Sequence, residues 1–335
     1  MISENSPQIV GRSGPAGMMP HHDAVQPVLH ALGFSPDSRV AIFHADDVGM
    51  CHGANVAFDE LSRKGTINCG SVMVPCPWFT EVGEMAVADA RLDVGVHLTL
   101  TSERTTYRWA PISTTSRSSG LIDESGYFWR RLPMLGAHVV PEAAEAEMRA
   151  QIERALAAGI DITHLDTHMG AALLPSLVDI YIRLGREYRL PILFPRQFQD
   201  YSSVLEFTGI PLEGYHVLLR KLETEGWPLI DHFRMTPGVP SAESDRSYRN
   251  LVAGLPSGLT MLALHPNMPG DIETIVPVKA HYRTDEYRIL GGPGFRDFVA
   301  GQGIVTIGFR PLRQLLRQGI GNPPARDVST QDRPG

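Results

Sequence analysis

Short apolar runs rich in branched residues alternate with amphipathic stretches along most of this chain, and that rhythm narrows the folds open to it more than any other feature. Strand-like runs fall at residues 40–45, 71–74, 94–100, 160–166, 192–195, 259–265 and 304–307, with a further one near 229–233. The stretches between them read as helices. Residues 54–64 end at Gly65, where a glycine suits a left-handed cap. Residues 141–158 open with Pro141, carry acids in the first turns and place Met148, Ile152 and Ala155 on one stripe. Residues 175–188 repeat the pattern with Leu177, Ile180 and Leu184. Alternating strand and helix implies parallel strands joined by right-handed crossovers. The expected fold is α/β, an irregular (β/α) barrel of seven or eight mostly parallel strands in a single domain.

Residues 1–20, rich in Ser, Pro, Gly and Met, read as a loosely packed arm, residues 21–320 as the barrel, and 321–335 as a loose tail. A short helix is expected at 25–32. One long stretch, 101–140, breaks the rhythm. Its Tyr107, Trp109, Phe128 and Trp129 suggest a loop that covers substrate, with Trp109 and Trp129 on the substrate side. The formal net charge of −7 argues against a nucleic-acid partner. No run approaches the ~18 apolar residues needed to cross a bilayer. Cys51, Cys69 and Cys76 are too sparse for a disulfide framework, and no basic-then-apolar leader precedes residue 22, so a cytoplasmic protein is expected.

Polar residues collect where the strands end, and in parallel α/β folds that is where ligands sit. Asp46 and Asp47 close the first run, His97 lies late in the third, Asp166 and His168 end the fourth, Arg196 follows the fifth, and His265 ends a later one. Adjacent carboxylates repel and are costly to bury without a cation. One aspartate alone reads more readily as a cap for the helix beginning near Gly53, and it is the rest of the set that overturns this. A carboxylate with two imidazoles is a ligand set for Zn²⁺ or another divalent ion, and the second carboxylate is then free to act as a base. In the fourth segment His164 and Asp166 share a face of an extended strand, whereas His168 lies just beyond it. That favours His168 as the ligand, with His164 and Asp166 behind it.

The runs Ala45-Asp46-Asp47-Val48-Gly49, Gly95-Val96-His97-Leu98-Thr99-Leu100, Thr163-His164-Leu165-Asp166-Thr167-His168 and Leu264-His265-Pro266 resemble the motifs of the YdjC-like carbohydrate deacetylases, which include chitooligosaccharide deacetylases. The resemblance spans about residues 39–308, including the late segment from Tyr282-Arg283 to Leu290. It implies an irregular (β/α) barrel with one divalent ion, Zn²⁺ or else Mg²⁺, Mn²⁺ or Co²⁺, held by Asp47, His97 and His168. It further implies Asp46 as general base, His265 as general acid or transition-state stabiliser, and Arg196 as the residue that orients or neutralises the catalytic carboxylate.

The expected activity is hydrolysis of a C–N amide bond, removing an N-acetyl group from an amino sugar or oligosaccharide. Alternatives are an amidohydrolase of the same fold acting on a non-sugar amide, a non-catalytic carbohydrate-binding relative, and an iron oxygenase built on the same two-histidine, one-carboxylate set. A homodimer is the expected assembly.

Overall fold

The structure, a computed structural model, describes residues 27–197 and 211–319; the proposed arm and tail at 1–20 and 321–335 lie outside them. Among the described residues seven strands form one parallel sheet: β1 (Arg39–Val48), β2 (Cys69–Val72), β3 (Val94–Leu98), β4 (Leu165–Thr167), β5 (His232–Met235), β6 (Gly258–Leu264) and β7 (Ile304–Thr306). Their order is β4-β3-β2-β1-β6-β5. The central strand β1 pairs with β6 along one edge, and its other edge is shared between β7 at Arg39–Ala41 and β2 further on. Its Val40, Ala41, Ile42 and Phe43 are all buried, as expected for a parallel strand covered on both faces.

The sheet curls, and an irregular stretch joins its two outer strands. Leu193 N donates to Leu165 O beside β4, while Arg196 N and Gln197 N donate to Ile230 O and Asp231 O on the approach to β5. The sequence read 192–195 as a strand, but only a single bridge forms, between Ile192 and Leu165. Pro191 and Pro195 flank it, and neither has an N–H for a ladder.

Three other elements are shorter than the periodicity implied. β3 stops at Leu98 because both backbone groups of Thr99 turn to the amide of buried Gln151. β4 starts only at Leu165, although Thr163 N still reaches Val94 O. The helix expected over 175–188 runs Val178–Tyr188, preceded by a tight turn, His168–Leu173, in which Met169 takes a φ of 54°.

The 101–140 stretch is packed. Trp109, Leu121, Ile122, Phe128, Leu132 and Leu135 are buried in the core. The Pro141–Ala157 helix fixes this stretch through buried Glu147, whose carboxylate accepts from Ile112 N and Ser113 N. No helix among the described residues is long and apolar enough to cross a membrane.

Candidate metal centre

Because all seven strands are parallel, their carboxyl ends gather at one rim. β1 brings two adjacent carboxylates there by an irregularity. Successive side chains on a strand point to opposite faces, but the pairing with β2 shifts register between Ala45 and Val48, and Asp47 has a φ of 59°. That left-handed conformation is uncommon outside glycine, although aspartate adopts it more readily than most residues. It turns Asp47 toward β3 and β4 while Asp46 faces β6. Gly49, with a φ of 85°, completes the turn; a Cβ there would stand 3.0 Å from Val72.

Three ligand atoms converge on this rim. Asp47 Oδ1 lies 3.1 Å from His168 Nδ1 and 3.5 Å from His97 Nε2, and the two nitrogens are 3.3 Å apart. A tetrahedral centre with ligands at ~2.0–2.1 Å has edges of ~3.3–3.4 Å, so the set matches a Zn²⁺-like ion. Asp47 Oδ1 is buried and has no hydrogen-bond partner among the described residues, so this oxygen is available to a cation.

The other atoms of these side chains are occupied. Arg283 Nη2 donates to Asp47 Oδ2 at 2.6 Å. His97 Nδ1 meets Asp166 Oδ1 at 2.9 Å, and Ser71 Oγ donates to Asp166 Oδ2 at 2.8 Å. His168 Nε2 meets Glu103 Oε2 at 3.0 Å. Each imidazole thus has a carboxylate on its far nitrogen, which fixes ring orientation and leaves the near nitrogen for the ion.

The charges follow from these contacts. Burial would raise the Asp47 carboxyl, but Arg283 and His168 hold it well below the usual range. Burial alone would lower His168; Glu103 and Asp47 instead push it up to about 9, and Glu103 falls to about 2 as burial is outweighed by His168. His97 is likewise raised, by Asp166 against burial.

Asp46 stands beside this cluster. Its Oδ1 accepts from His44 Nδ1 at 2.6 Å and its Oδ2 lies 3.8 Å from His265 Nε2. His44 is itself backed by His164, Nε2 to Nε2 at 2.8 Å, and His164 Nδ1 meets Thr163 Oγ1 at 2.9 Å. Burial, then the neighbouring His44, hold His164 well below the usual histidine range. Gly95 makes room for that ring, since a Cβ there would lie 2.4 Å from it.

Arg196 is not brought to this group. Its guanidinium pairs with Glu223 and with Asp231, whose other oxygen accepts from Leu259 N near the start of β6. The cluster's guanidinium is Arg283, from the Ala280–Gly291 helix. Trp109 lies near the cluster, its ring centroid 6.0 Å from that of His168, whereas Trp129 stacks on His138 and donates to Gly120 O within its own loop. Sequence reasoning passed over His44 and Glu103. His44 was within reach of it, because residues i and i+2 on a strand share a face with Asp46; Glu103 carries no such signal.

Comparison with known proteins bears on the chain as a whole. The model of the YdjC-like protein family matches residues 40–301. A carbohydrate deacetylase from Thermus thermophilus is 38% identical over 290 residues, covering 86% of this chain and 99% of that protein. Another from Thermoanaerobacter pseudethanolicus is 24% identical, covering 82% and 100%. The crystal structure of an Enterococcus faecalis V583 protein, named as a candidate for cellobiose-phosphate cleavage, shares the fold with a TM-score of 0.66 at 23% identity, over 82% of this chain and 99% of that one. With a family match over most of its length and a relative of this similarity, the chain belongs to the YdjC-like protein family.

Proposed function

We propose that this protein is a metal-dependent hydrolase of C–N amide bonds that removes the N-acetyl group from an amino sugar or oligosaccharide. The observation that carries the reading is the convergence of Asp47 Oδ1, His97 Nε2 and His168 Nδ1 at 3.1–3.5 Å, with Asp46 and His265 beside them. The sugar and the acetyl group rest on the names of the relatives. The three cysteines are buried and free, which suits a reducing compartment such as the cytoplasm.

A divalent ion, Zn²⁺ or else Mg²⁺, Mn²⁺ or Co²⁺, when bound by Asp47, His97 and His168 supplies Lewis acidity to the amide carbonyl and lowers the pKa of water toward ~7. The protein's own groups move the protons. Asp46, held by His44, takes a proton from the attacking water as the new C–O bond forms. His265 is held down to about 4, by burial first and then by Arg283, so it waits neutral at physiological pH. It lies 3.8 Å from Asp46 Oδ2, so a closing shift of about 1 Å brings it within reach of the proton it passes to the departing nitrogen as the C–N bond breaks. The products are acetate and the free amine.

The test is metal analysis of the purified protein together with a screen of acetylated amino sugars, their oligomers and simple amides for released acid. Asp46→Asn should keep bound metal and lose turnover by a factor on the order of 10²–10⁴. Release confined to non-sugar amides would move the substrate assignment, and normal turnover by the variant would remove Asp46 from its role.

A further inference from the structure

A buried carboxyl, Glu286, sits behind His265, and two hydroxyls converge on it. Tyr248 from the Ser241–Ala253 helix donates to Glu286 Oε1 at 2.6 Å, and Thr236, just past β5, bonds the same carboxyl. Glu286 Oε2 accepts from the backbone N of His265 at 2.5 Å. Thr236 N donates to Ala263 O at 3.1 Å, which sets its hydroxyl 2.9 Å from His265 Nδ1.

The hydrogens decide what this chain does. An ionised carboxylate only accepts, and a threonine hydroxyl has one proton to give. Giving that proton to Glu286 leaves Thr236 Oγ1 to accept from His265 2.9 Å away, which puts the hydrogen on Nδ1 and turns the lone pair of Nε2 toward Asp46. We propose that Glu286 and Thr236 are positioning residues that fix the tautomer of His265, making Nε2 the nitrogen that takes up and delivers the proton. The inference rests on the role given to His265 above, but its structural half can be read without any substrate. The opposite tautomer would already hold a hydrogen at Nε2 and could not receive the one that Asp46 takes from water.

The experiment is long-range ¹H–¹⁵N NMR of the histidine rings in the full-length protein at about pH 8, above the value near 7 to which burial pushes Glu286. The His265 signal is assigned with His265→Gln. Wild type should show a protonated Nδ1 and a bare Nε2. Thr236→Val removes the acceptor, and Glu286→Gln offers an amide donor that reverses the chain, so both should move the hydrogen to Nε2; Thr236→Ser should retain the wild-type pattern. In turnover, Thr236→Val should lower kcat by roughly 10–100-fold with KM little changed, within what a general acid contributes, and Thr236→Ser should restore it. A hydrogen on Nε2 in wild type, or the same tautomer in wild type, Thr236→Val and Glu286→Gln, overturns the proposal. If the tautomers behave as described but wild type releases no acid from any amide, the hydrolase reading fails and the positioning pair stands.

Discussion

Replacing Gly95 with alanine should destabilise the protein through His164. The added Cβ would lie 2.4 Å from Cε1, 2.5 Å from Nε2 and 2.6 Å from Nδ1 of that ring. Unstrained carbon contacts need about 3.5–4.0 Å, so the imidazole must retreat by about 1 Å. It has nowhere to go, because Phe309, itself buried, stacks on the other side with centroids 3.9 Å apart. Moving the ring sideways breaks its bonds to His44 and Thr163, at 2.8 and 2.9 Å. Overpacking costs about 1–3 kcal/mol and a broken buried hydrogen bond about as much again, giving about 2–6 kcal/mol in total. Urea unfolding monitored at constant slope reads this as a lower midpoint. The cause is isolated by repeating the substitution in a His164→Ala background, where the clash is gone and Gly95→Ala should cost under about 1 kcal/mol. An equal cost in both backgrounds, or a cost below about 0.5 kcal/mol in the first, would refute the packing argument.

Three further outcomes are expected. With His168 held up near 9 by Glu103 and Asp47, loading an ion at neutral pH should expel that proton; affinity should therefore weaken as pH falls, by about tenfold per unit for each proton displaced. Calorimetry in buffers of different ionisation heat counts the protons, and none released at about pH 7 would contradict the arrangement. Glu103→Gln, which weakens the support on His168 Nε2, should reduce ion affinity by about 10–100-fold in a metal-buffer titration, whereas Arg196→Gln should leave it unchanged. Arg313 and then Arg310 lower the Asp161 carboxyl to about 2. Its contribution to stability is present above the ordinary carboxylate value and is lost as pH falls toward about 2; Asp161→Asn should flatten the acid limb of the unfolding midpoint.

The strand ends were readable because a parallel sheet gathers them at one rim: Asp47 and His97 are the next-to-last residues of their β-strands, and His168 follows the last residue of β4. The same reasoning misled at Arg196. Its run is flanked by two prolines and forms one bridge, so its side chain follows the chain toward Asp231. Arg283 lies 236 residues from Asp47 along the chain, a separation at which no local periodicity reports a contact. Glu103 lies in a stretch with no period to read, and it meets His168 from 65 residues away along the chain. The limits of β3 depended on one buried glutamine from a helix, which strand propensity cannot foresee.

The turned peptide at Asp47 ties two jobs together mechanically. Consecutive α-carbons are about 3.8 Å apart across a rigid trans unit, so the group that would grip an ion and the group that would strip a proton share a single planar link. An ion of different radius that draws the Asp47 carboxylate inward pulls on that link, and whatever shift the Asp47 side-chain torsions do not absorb is carried to Asp46. Swapping one divalent ion for another should therefore alter the reach of the acid toward water as well as the strength of the Lewis acid, and turnover should track ionic size more steeply than charge density alone would dictate.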